Sequence, residues 1–410
     1  MRKLKISLLP LFFTAFIDFT GLAIVIPIFS PLFLDPNDLF FNANTPETTR
    51  TLILGFLLSS FPLAQFFGSP LLGALSDRFG RKPLLIASMS GTAFSYLALG
   101  MAILTHNFYL LFASRIVAGF MAGNISVVQS AIADVSEKQD KARNFSLIAL
   151  AFSGGLIIGP FLGARLSDPH VVPWFNDTVP FCLTSFLSLC NVLFVGLFFQ
   201  ETLKKKRDAE ISVWIGFKRI AQAIHQKGRR QLWLMVLCYG LAWAFLAQFF
   251  QVFLIQKFGF TKPEIGNFYS YWAFWSIFTQ FAIARPLFPH FKQKHLISIS
   301  LFLLLIAVIS LTIPNNPHYL YGIIPFVSLF QQIAYPNVIA LVSNAGDKLR
   351  QGEMLGVCSS IQAASQVLPA TISGSIVILN PTFPTLIGSF FIFLTLIFFI
   401  LYVREQRKKI

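Results

Sequence analysis

Long apolar segments separated by short charged turns restrict this chain to a membrane fold. Hydrophobic residues make up 55% of the 410 residues and charged residues only 12%, which is more apolar surface than a soluble fold of this length can bury. A helix needs about 20 apolar residues to cross a bilayer. By that measure there are twelve predicted spans, at residues 5–33, 51–75, 83–104, 108–133, 144–167, 173–200, 231–256, 264–288, 295–313, 317–343, 353–379 and 382–403. The predicted fold class is therefore an all-α membrane protein with twelve transmembrane helices.

One long charged segment divides the predicted spans into two sets of six. It contains the basic run Lys204-Lys205-Lys206-Arg207, and a basic segment of this kind can lie on anionic lipid headgroups. We predict an N-terminal six-helix bundle at residues 1–200, a basic cytoplasmic linker at 201–230 and a C-terminal six-helix bundle at 231–410. The turn at 285–294 weakly repeats the basic turn at 73–83, as expected for a fold built from repeated bundles.

The net charge of +15 has a topological explanation. If both termini are cytoplasmic, 27 of the 32 Lys and Arg residues lie in cytoplasmic segments, which is the bias that the positive-inside rule describes. Nucleic acid is therefore not an expected partner, whereas the lipid bilayer is. The loops are short, so we expect an integral multi-pass protein of a bacterial inner membrane, with both termini in the cytoplasm.

The turn at residues 73–83 carries four charges of both signs between two predicted spans. It reads Gly73-Ala-Leu-Ser-Asp-Arg-Phe-Gly-Arg-Lys-Pro83, and this pattern resembles the loop between the second and third helices of major facilitator superfamily transporters. The resemblance implies two bundles around a central cavity that opens alternately to each side. It also implies that Asp77 meets the N-terminal end of span 11 near Gly352 and is steadied by Arg81. The conformational latch would comprise Gly73, Asp77, Arg78, Gly80, Arg81 and Lys82; alternatively, these charges only set the topology.

Asp18 is the one acidic residue placed deep inside a predicted span. It is thirteen residues from Lys5, or roughly 20 Å along a helix, and an ionisable group at that depth is costly and is by default a functional hypothesis. Arg115 is the one basic residue at comparable depth, so the two side chains could pair. Burial opposes ionisation of Asp18 and a neighbouring guanidinium favours it, which would couple proton binding to conformation. The alternative is a static ion pair that fixes two helices.

Two glycine patterns extend the resemblance. Arg115-x-x-Ala118-Gly119-x-x-x-Gly123 is similar to the second superfamily motif, and the segment from Gly155 to Ala164 is similar to the antiporter motif of drug exporters, except for Ala118 and Ala164. The antiporter-like residues are Gly155, Gly159, Pro160 and Gly163. Glycines four residues apart let helices approach closely. Span 1 and the run 351–356 also resemble the tetracycline-exporter-like branch of drug:proton antiporters, which implies export.

Uncharged polar and aromatic residues within the spans are candidates for lining a substrate cavity. They are Asn124, Gln248, Gln251, Tyr271, Trp275, Gln331, Asn337 and Gln362. Side chains of these kinds can orient a ligand in a largely apolar pocket. Each amide can equally satisfy a neighbouring helix by hydrogen bonding.

These observations predict a proton-coupled secondary active transporter that exports a small amphipathic organic molecule by alternating access. No cofactor or metal is expected, because the sequence has neither a phosphate-binding loop nor His residues at metal-ligand spacing. Enzymatic activity is not expected, since no nucleophile and base pattern is present. A monomer is expected. The alternatives are an importer of a nutrient or siderophore on the same scaffold, and a non-transporting sensor.

Overall fold

A computed structural model describes residues 2–34, 40–41, 45–135, 141–203, 229–288, 290–345 and 351–407. Within these ranges the side chains of residues 2–7, 141–147 and 351–356, and a few single ones elsewhere, are not described. The basic run Lys204–Arg207 of the predicted linker lies outside the described residues, as do the side chains around Gly352.

All regular structure in the described ranges is helical. The helices are α1 (Arg2–Ile24), α2 (Ile26–Leu34), α3 (Glu47–Phe79), α4 (Arg81–Leu104), α5 (Phe108–Met121), α6 (Ile125–Val135), α7 (Lys141–Leu166), α8 (Val179–Phe198), α9 (Arg230–Phe258), α10 (Lys262–Phe278), α11 (Arg285–Leu287), α12 (Gln293–Ser310), α13 (His318–Asn344), α14 (Gln351–Leu379) and α15 (Phe383–Arg407). A 3₁₀ turn at Ala122–Asn124 joins α5 to α6, and a π-helical turn at Thr279–Ala284 joins α10 to α11.

Each predicted span falls on one helix or on consecutive helices. In the part of the chain that the structure describes, nine helices are long and apolar enough to cross a membrane. The remaining three predicted spans lie on α7, on α10 with the π-helical turn, and on α14, whose two apolar parts are bent by 42°. The all-α membrane fold is confirmed, while the count of twelve stays a prediction.

The described residues form two compact units. The first falls within Met1–Arg50, Ser60–Ile215 and Thr261–Ser270, and the second within Thr51–Ser59, Gly216–Phe260 and Tyr271–Ile410. Helices α3 and α10 therefore contribute residues to both units. The predicted boundaries differ by these short segments, and the division into two six-helix bundles stays a prediction.

The first unit is built on α1 and α4. Helix α1 lies along α7 and α8, and α4 lies along α8 and α5. Its core includes the fully buried side chains of Leu11, Leu85, Val127 and Ala151. Asn107 begins α5, since its side-chain oxygen accepts the backbone N–H of Leu110, which satisfies one of the free donors at a helix start. Helix α8 therefore contacts both α1 and α4, and α4 also contacts α5.

The second unit is built on α9, which lies along α14 and α15. Helix α12 packs on α13 and α15. Large aromatic side chains fill the interior, among them Trp233, Phe245 and Phe249, each about 1–2% exposed. Aromatic rings of this size supply much of the packing area in a helical core.

Candidate functional site

Asp18 is buried in the middle of α1. Its side chain is 7% exposed, and neither carboxylate oxygen has a hydrogen-bond donor among the described residues. A buried carboxylate without donors is strongly disfavoured in its charged form. The sequence placed Asp18 deep inside a span, and the structure buries its side chain.

Arg115 is buried on α5 and lies against aromatic rings. It is 2% exposed, and its guanidinium carbon lies 4.6 Å from the ring centre of Phe61 and 5.5 Å from that of Phe29. Its Nε and Nη1 atoms have no acceptor among the described residues. The direct pair with Asp18 is absent, so that expectation is wrong for this structure: the faces of the two rings, rather than a carboxylate, hold the guanidinium.

Tyr96 and Asn124 complete a buried polar group with these two residues. Tyr96 on α4 lies within electrostatic reach of both Asp18 and Arg115. Asn124, in the 3₁₀ turn after α5, lies near the Asp18 carboxylate and donates its amide N–H to the sulfur of Met89 at 3.5 Å. Sequence reasoning identified Asn124 as a cavity residue but missed Tyr96, because one tyrosine on an apolar helix has no distinguishing spacing.

The antiporter-like glycines of α7 pack against the helix that carries Asp18. A Cβ atom on Gly155 would lie 2.7 Å from the backbone nitrogen of Thr20, and one on Gly159 would lie 2.7 Å from the Cβ of Ala23. Gly163 faces the carbonyl of Ile24 in the same way. Real Cβ atoms do not approach neighbours this closely, so the three glycines allow α7 to lie directly on α1. This packing sets the position of Asp18 in the unit.

The glycines that follow Arg115 have the same effect on α5. A Cβ on Gly123 would lie 2.5 Å from the backbone nitrogen of Ser69, and Gly119 faces the carbonyl of Phe61. Backbone therefore contacts backbone between α5 and α3. Because Phe61 also supplies a ring to Arg115, the close approach of these helices fixes the guanidinium on that ring.

Arg81 is the centre of the charged turn at residues 73–83. It is 5% exposed, and its Nη2 atom lies 2.6 Å from the Oδ1 atom of Asp77, as the resemblance implies. Its Nε atom donates to Asp134 at 3.1 Å, and Nη1 donates to Ser76. Arg78, in contrast, is exposed and lies over the ring of its neighbour Phe79. Arg81 therefore ties the turn to the end of α6.

Glu201 caps the start of α4, and sequence reasoning missed it. Its carboxylate accepts the backbone N–H groups of Arg81 and Lys82 at 3.0 Å and those of Thr202 and Leu203 at 2.9 Å. Partial burial raises the pKa of Glu201, but these hydrogen bonds lower it, and the resulting pKa lies below the ordinary value. A carboxylate at a helix start is favoured by the free N–H groups and the helix dipole.

Gly80 makes room for this cap. Its φ angle is +115°, a conformation that residues with a side chain rarely adopt. A Cβ there would also lie 3.2 Å from the Cδ of Glu201. Lys82 adds a second tie to α8, because its Nζ donates to the carbonyl of Gly196 at 2.7 Å. Gly73 faces Ser126 of α6 at 3.3 Å, which brings α6 close to this turn.

The remaining predicted cavity residues lie in the second unit, and many of their polar atoms are engaged there. Tyr271 donates to the carbonyl of Tyr321 at 2.8 Å, and Asn337 donates to its own helix at Ile333. Gln362 donates to the hydroxyl of Tyr335 at 3.4 Å. These three side chains have structural partners.

Three other candidates keep a buried polar atom without a partner among the described residues: Gln248, Gln251 and Trp275. Gln251 is 3% exposed, and Gln248 uses its amide nitrogen on the carbonyl of Gln366 at 3.0 Å. Gln331 is half-buried. Unsatisfied polar atoms are costly in a membrane interior, which makes these three the stronger candidates for contact with a ligand. Within the described ranges no cluster of His, Cys, Asp or Glu could hold a metal ion.

Comparison with known proteins agrees with this architecture. The sequence matches the Major Facilitator Superfamily profile over residues 11–368 and 232–410. Major facilitator superfamily domain-containing protein 10 of Mus musculus is 25% identical over 343 residues, which cover 78% of this chain and 72% of that protein. Multidrug resistance protein 1 of Bacillus subtilis is 26% identical over 389 residues, covering 94% and 93%.

A tetracycline resistance protein and a solved structure extend the comparison. The class C tetracycline resistance protein of Escherichia coli is 36% identical over 153 residues, covering 37% of this chain and 36% of that protein. The crystal structure of the human organic anion transporter MFSD10 has a TM-score of 0.73 at 21% identity and covers 97% of this chain and 99% of that one. This chain therefore belongs to the major facilitator superfamily of transporters.

Proposed function

We propose that this protein is a proton-coupled secondary transporter that exports a small amphipathic organic molecule by alternating access. Asp18 is the proton-binding group, and Arg115 adjusts its protonation as the helices move. The observation that carries the proposal is a buried carboxylate with no donor on either oxygen among the described residues. Such a group binds or releases a proton when its surroundings change, which is the requirement for coupling to a proton gradient.

Packing around Asp18 supports movement of this group. Gly155, Gly159 and Gly163 hold α7 directly on α1, so a shift of one helix is transmitted to the other without intervening side chains.

The relatives named as multidrug and tetracycline resistance proteins support export. An importer of a nutrient or siderophore would use the same scaffold in the opposite direction.

The coupling is tested by substrate-driven proton flux in proteoliposomes. Three probes cover the chemistry: tetracycline, the lipophilic cation ethidium and the organic anion fluorescein. We expect Asp18→Asn to lose proton flux with the transported probe, and Asp168→Asn, in the loop after α7, to retain it. Retention of wild-type coupled flux by Asp18→Asn would remove the proton assignment. Accumulation inside intact cells instead of efflux from loaded cells would replace export with import.

An organic anion is the second candidate substrate class, and Arg115 favours it. Its guanidinium has two nitrogens without an acceptor among the described residues, and a guanidinium binds carboxylates well. Transport of fluorescein but not of ethidium, lost in Arg115→Gln, would select this class. Transport of ethidium alone would select a cation that competes with the proton on Asp18.

The charged turn is proposed to act as a conformational latch, in which Asp77 meets the N-terminal end of span 11 near Gly352. The turn would be shaped by Gly73, Arg78, Gly80, Arg81 and Lys82.

We further propose a monomer with both termini in the cytoplasm, in a bacterial inner membrane. Labelling of single cysteines placed after residue 407 with a membrane-impermeant reagent in intact cells tests the orientation, since cytoplasmic termini would stay unlabelled.

A further inference from the structure

Asp18 and Arg115 do not form an ion pair among the described residues, so a hydrogen-bonded link between them has to pass through a third group. Arg115 is held on the rings of Phe61 and Phe29, and neither oxygen of Asp18 has a donor among the described residues. Tyr96 is the hydroxyl-bearing residue within electrostatic reach of both.

The backbone of α1 fixes the place of the Tyr96 hydroxyl. A Cβ atom on Gly21 would lie 2.7 Å from the Cζ atom of Tyr96, and still closer to its hydroxyl oxygen. The phenol therefore occupies the space that a side chain at position 21 would fill. Gly21 comes three residues after Asp18, and residues three apart lie on the same face of a helix. The hydroxyl is thus directed at the face of α1 that carries Asp18.

The other side of the Tyr96 ring is held by packing. The ring is 2% exposed and stacks on Phe181 of α8, with centres 6.5 Å apart and planes 7° from parallel. The ring is therefore fixed, while rotation about its C–O bond leaves the hydroxyl proton free to turn. A phenol can donate to a carboxylate and accept from a guanidinium.

Few other ionisable groups face this hydroxyl from the helices around it. Asp18 comes from α1 and Arg115 from α5. On α8 the thiol of Cys182 lies beside Gly100, one turn further along α4. Asn124, from the 3₁₀ turn, is neutral. A change in charge at this place therefore arises from Asp18.

We propose that Tyr96 is a positioning residue for proton coupling, whose hydroxyl links the protonation of Asp18 to the orientation of Arg115. In the arrangement seen here the hydroxyl donates to neither oxygen of Asp18. When the helices move closer and Asp18 is ionised, the hydroxyl donates to the carboxylate and presents its oxygen to Arg115. With Asp18 protonated, the carboxyl no longer attracts the phenol proton, and the hydroxyl turns. This assignment rests on the proposed role of Asp18.

Infrared spectroscopy of the full-length protein in lipid bilayers tests it without a substrate, using a pH titration alone. The carbonyl band of protonated Asp18 is identified by its loss in Asp18→Asn. We expect Tyr96→Phe, which keeps the stacked ring, to move the midpoint of that band by about one pH unit or more. Tyr109→Phe, whose side chain is 86% exposed, should leave the midpoint unchanged.

A second variant tests the position of the hydroxyl without removing it, in case Tyr96→Phe does not fold. Gly21→Ala keeps the hydroxyl but displaces it, and we expect the midpoint to move here as well. Equal midpoints in the wild type, Tyr96→Phe and Gly21→Ala would overturn the role of Tyr96 and leave that of Asp18 standing. If no titrating band disappears in Asp18→Asn, both assignments fail.

Discussion

The carboxylate of Glu201 accepts a hydrogen bond of 3.0 Å from the backbone N–H of Arg81, 120 residues earlier in the chain. The same carboxylate accepts the N–H of Lys82. The end of the sixth predicted span is thereby joined to the start of the third. The side chain of Arg81 meanwhile reaches Asp77 and Asp134, so a single turn connects four parts of the first unit.

The first prediction concerns this cap and its dependence on pH. Because the pKa of Glu201 in the folded protein is below its ordinary value of 4.5, the ionised cap stabilises the fold above about pH 4.5. This stabilisation is lost as the pH falls toward the lower folded pKa. Glu201→Gln should therefore lower the free energy of unfolding at pH 7 by about 1 kcal/mol, and the unfolding temperature should fall with it.

The measurement is thermal unfolding in detergent of both proteins across the pH range. The difference between them should shrink below about pH 4.5. A difference that stays constant down to pH 3 would show that the charge of Glu201 does not contribute.

The second prediction compares two arginines of the same turn. Arg81→Lys removes the planar fork that binds Asp77, Asp134 and Ser76, and a lysine cannot make these contacts at once. We expect this substitution to lower the free energy of unfolding by about 2 kcal/mol. Arg78→Lys is the matched control, because Arg78 is exposed, and its effect should stay within about 0.5 kcal/mol. Equal thermal stabilities of the two variants would contradict the central place of Arg81.

The third prediction concerns the contact of α7 with α1. Gly159→Ala places a methyl group 2.7 Å from the Cβ of Ala23 and 2.8 Å from the carbonyl of Thr20. We expect overpacking to cost about 1–3 kcal/mol and to reduce transport by displacing Asp18. Gly196→Ala is the control, since its methyl group would meet no atom of the described residues within 4 Å. Thermal unfolding and probe flux measure both effects, and wild-type values for Gly159→Ala would exclude tight packing there.

The fourth prediction concerns the ion pair between Lys262 of α10 and Asp177, which precedes α8. Their charged atoms lie 2.7 Å apart, with the side chains 30% and 16% exposed. A double-mutant cycle of Lys262→Met and Asp177→Asn should give a coupling energy of about 1 kcal/mol. Additive effects of the two substitutions on thermal stability would show that the pair contributes nothing.

Much of the fold could be predicted from the sequence because the residues of each segment decide whether that segment lies in lipid or in water. The apolar segments predicted the helices, and the charged turn at 73–83 and the depth of Asp18 followed from sequence spacing alone. The glycines of the Gly155–Gly163 segment were recognisable as packing positions because glycines four residues apart let helices approach closely.

The partners of these residues depended on how the helices are rotated and packed. The sequence suggested a pair between Asp18 and Arg115, but the close contact of α5 with α3 places Arg115 on the ring of Phe61 instead. Tyr96 became significant only because Gly21 leaves space for its hydroxyl, and Glu201 only because α8 ends beside the start of α4. Contacts between residues distant in sequence are set by tertiary packing, which hydrophobic periodicity and charge do not specify.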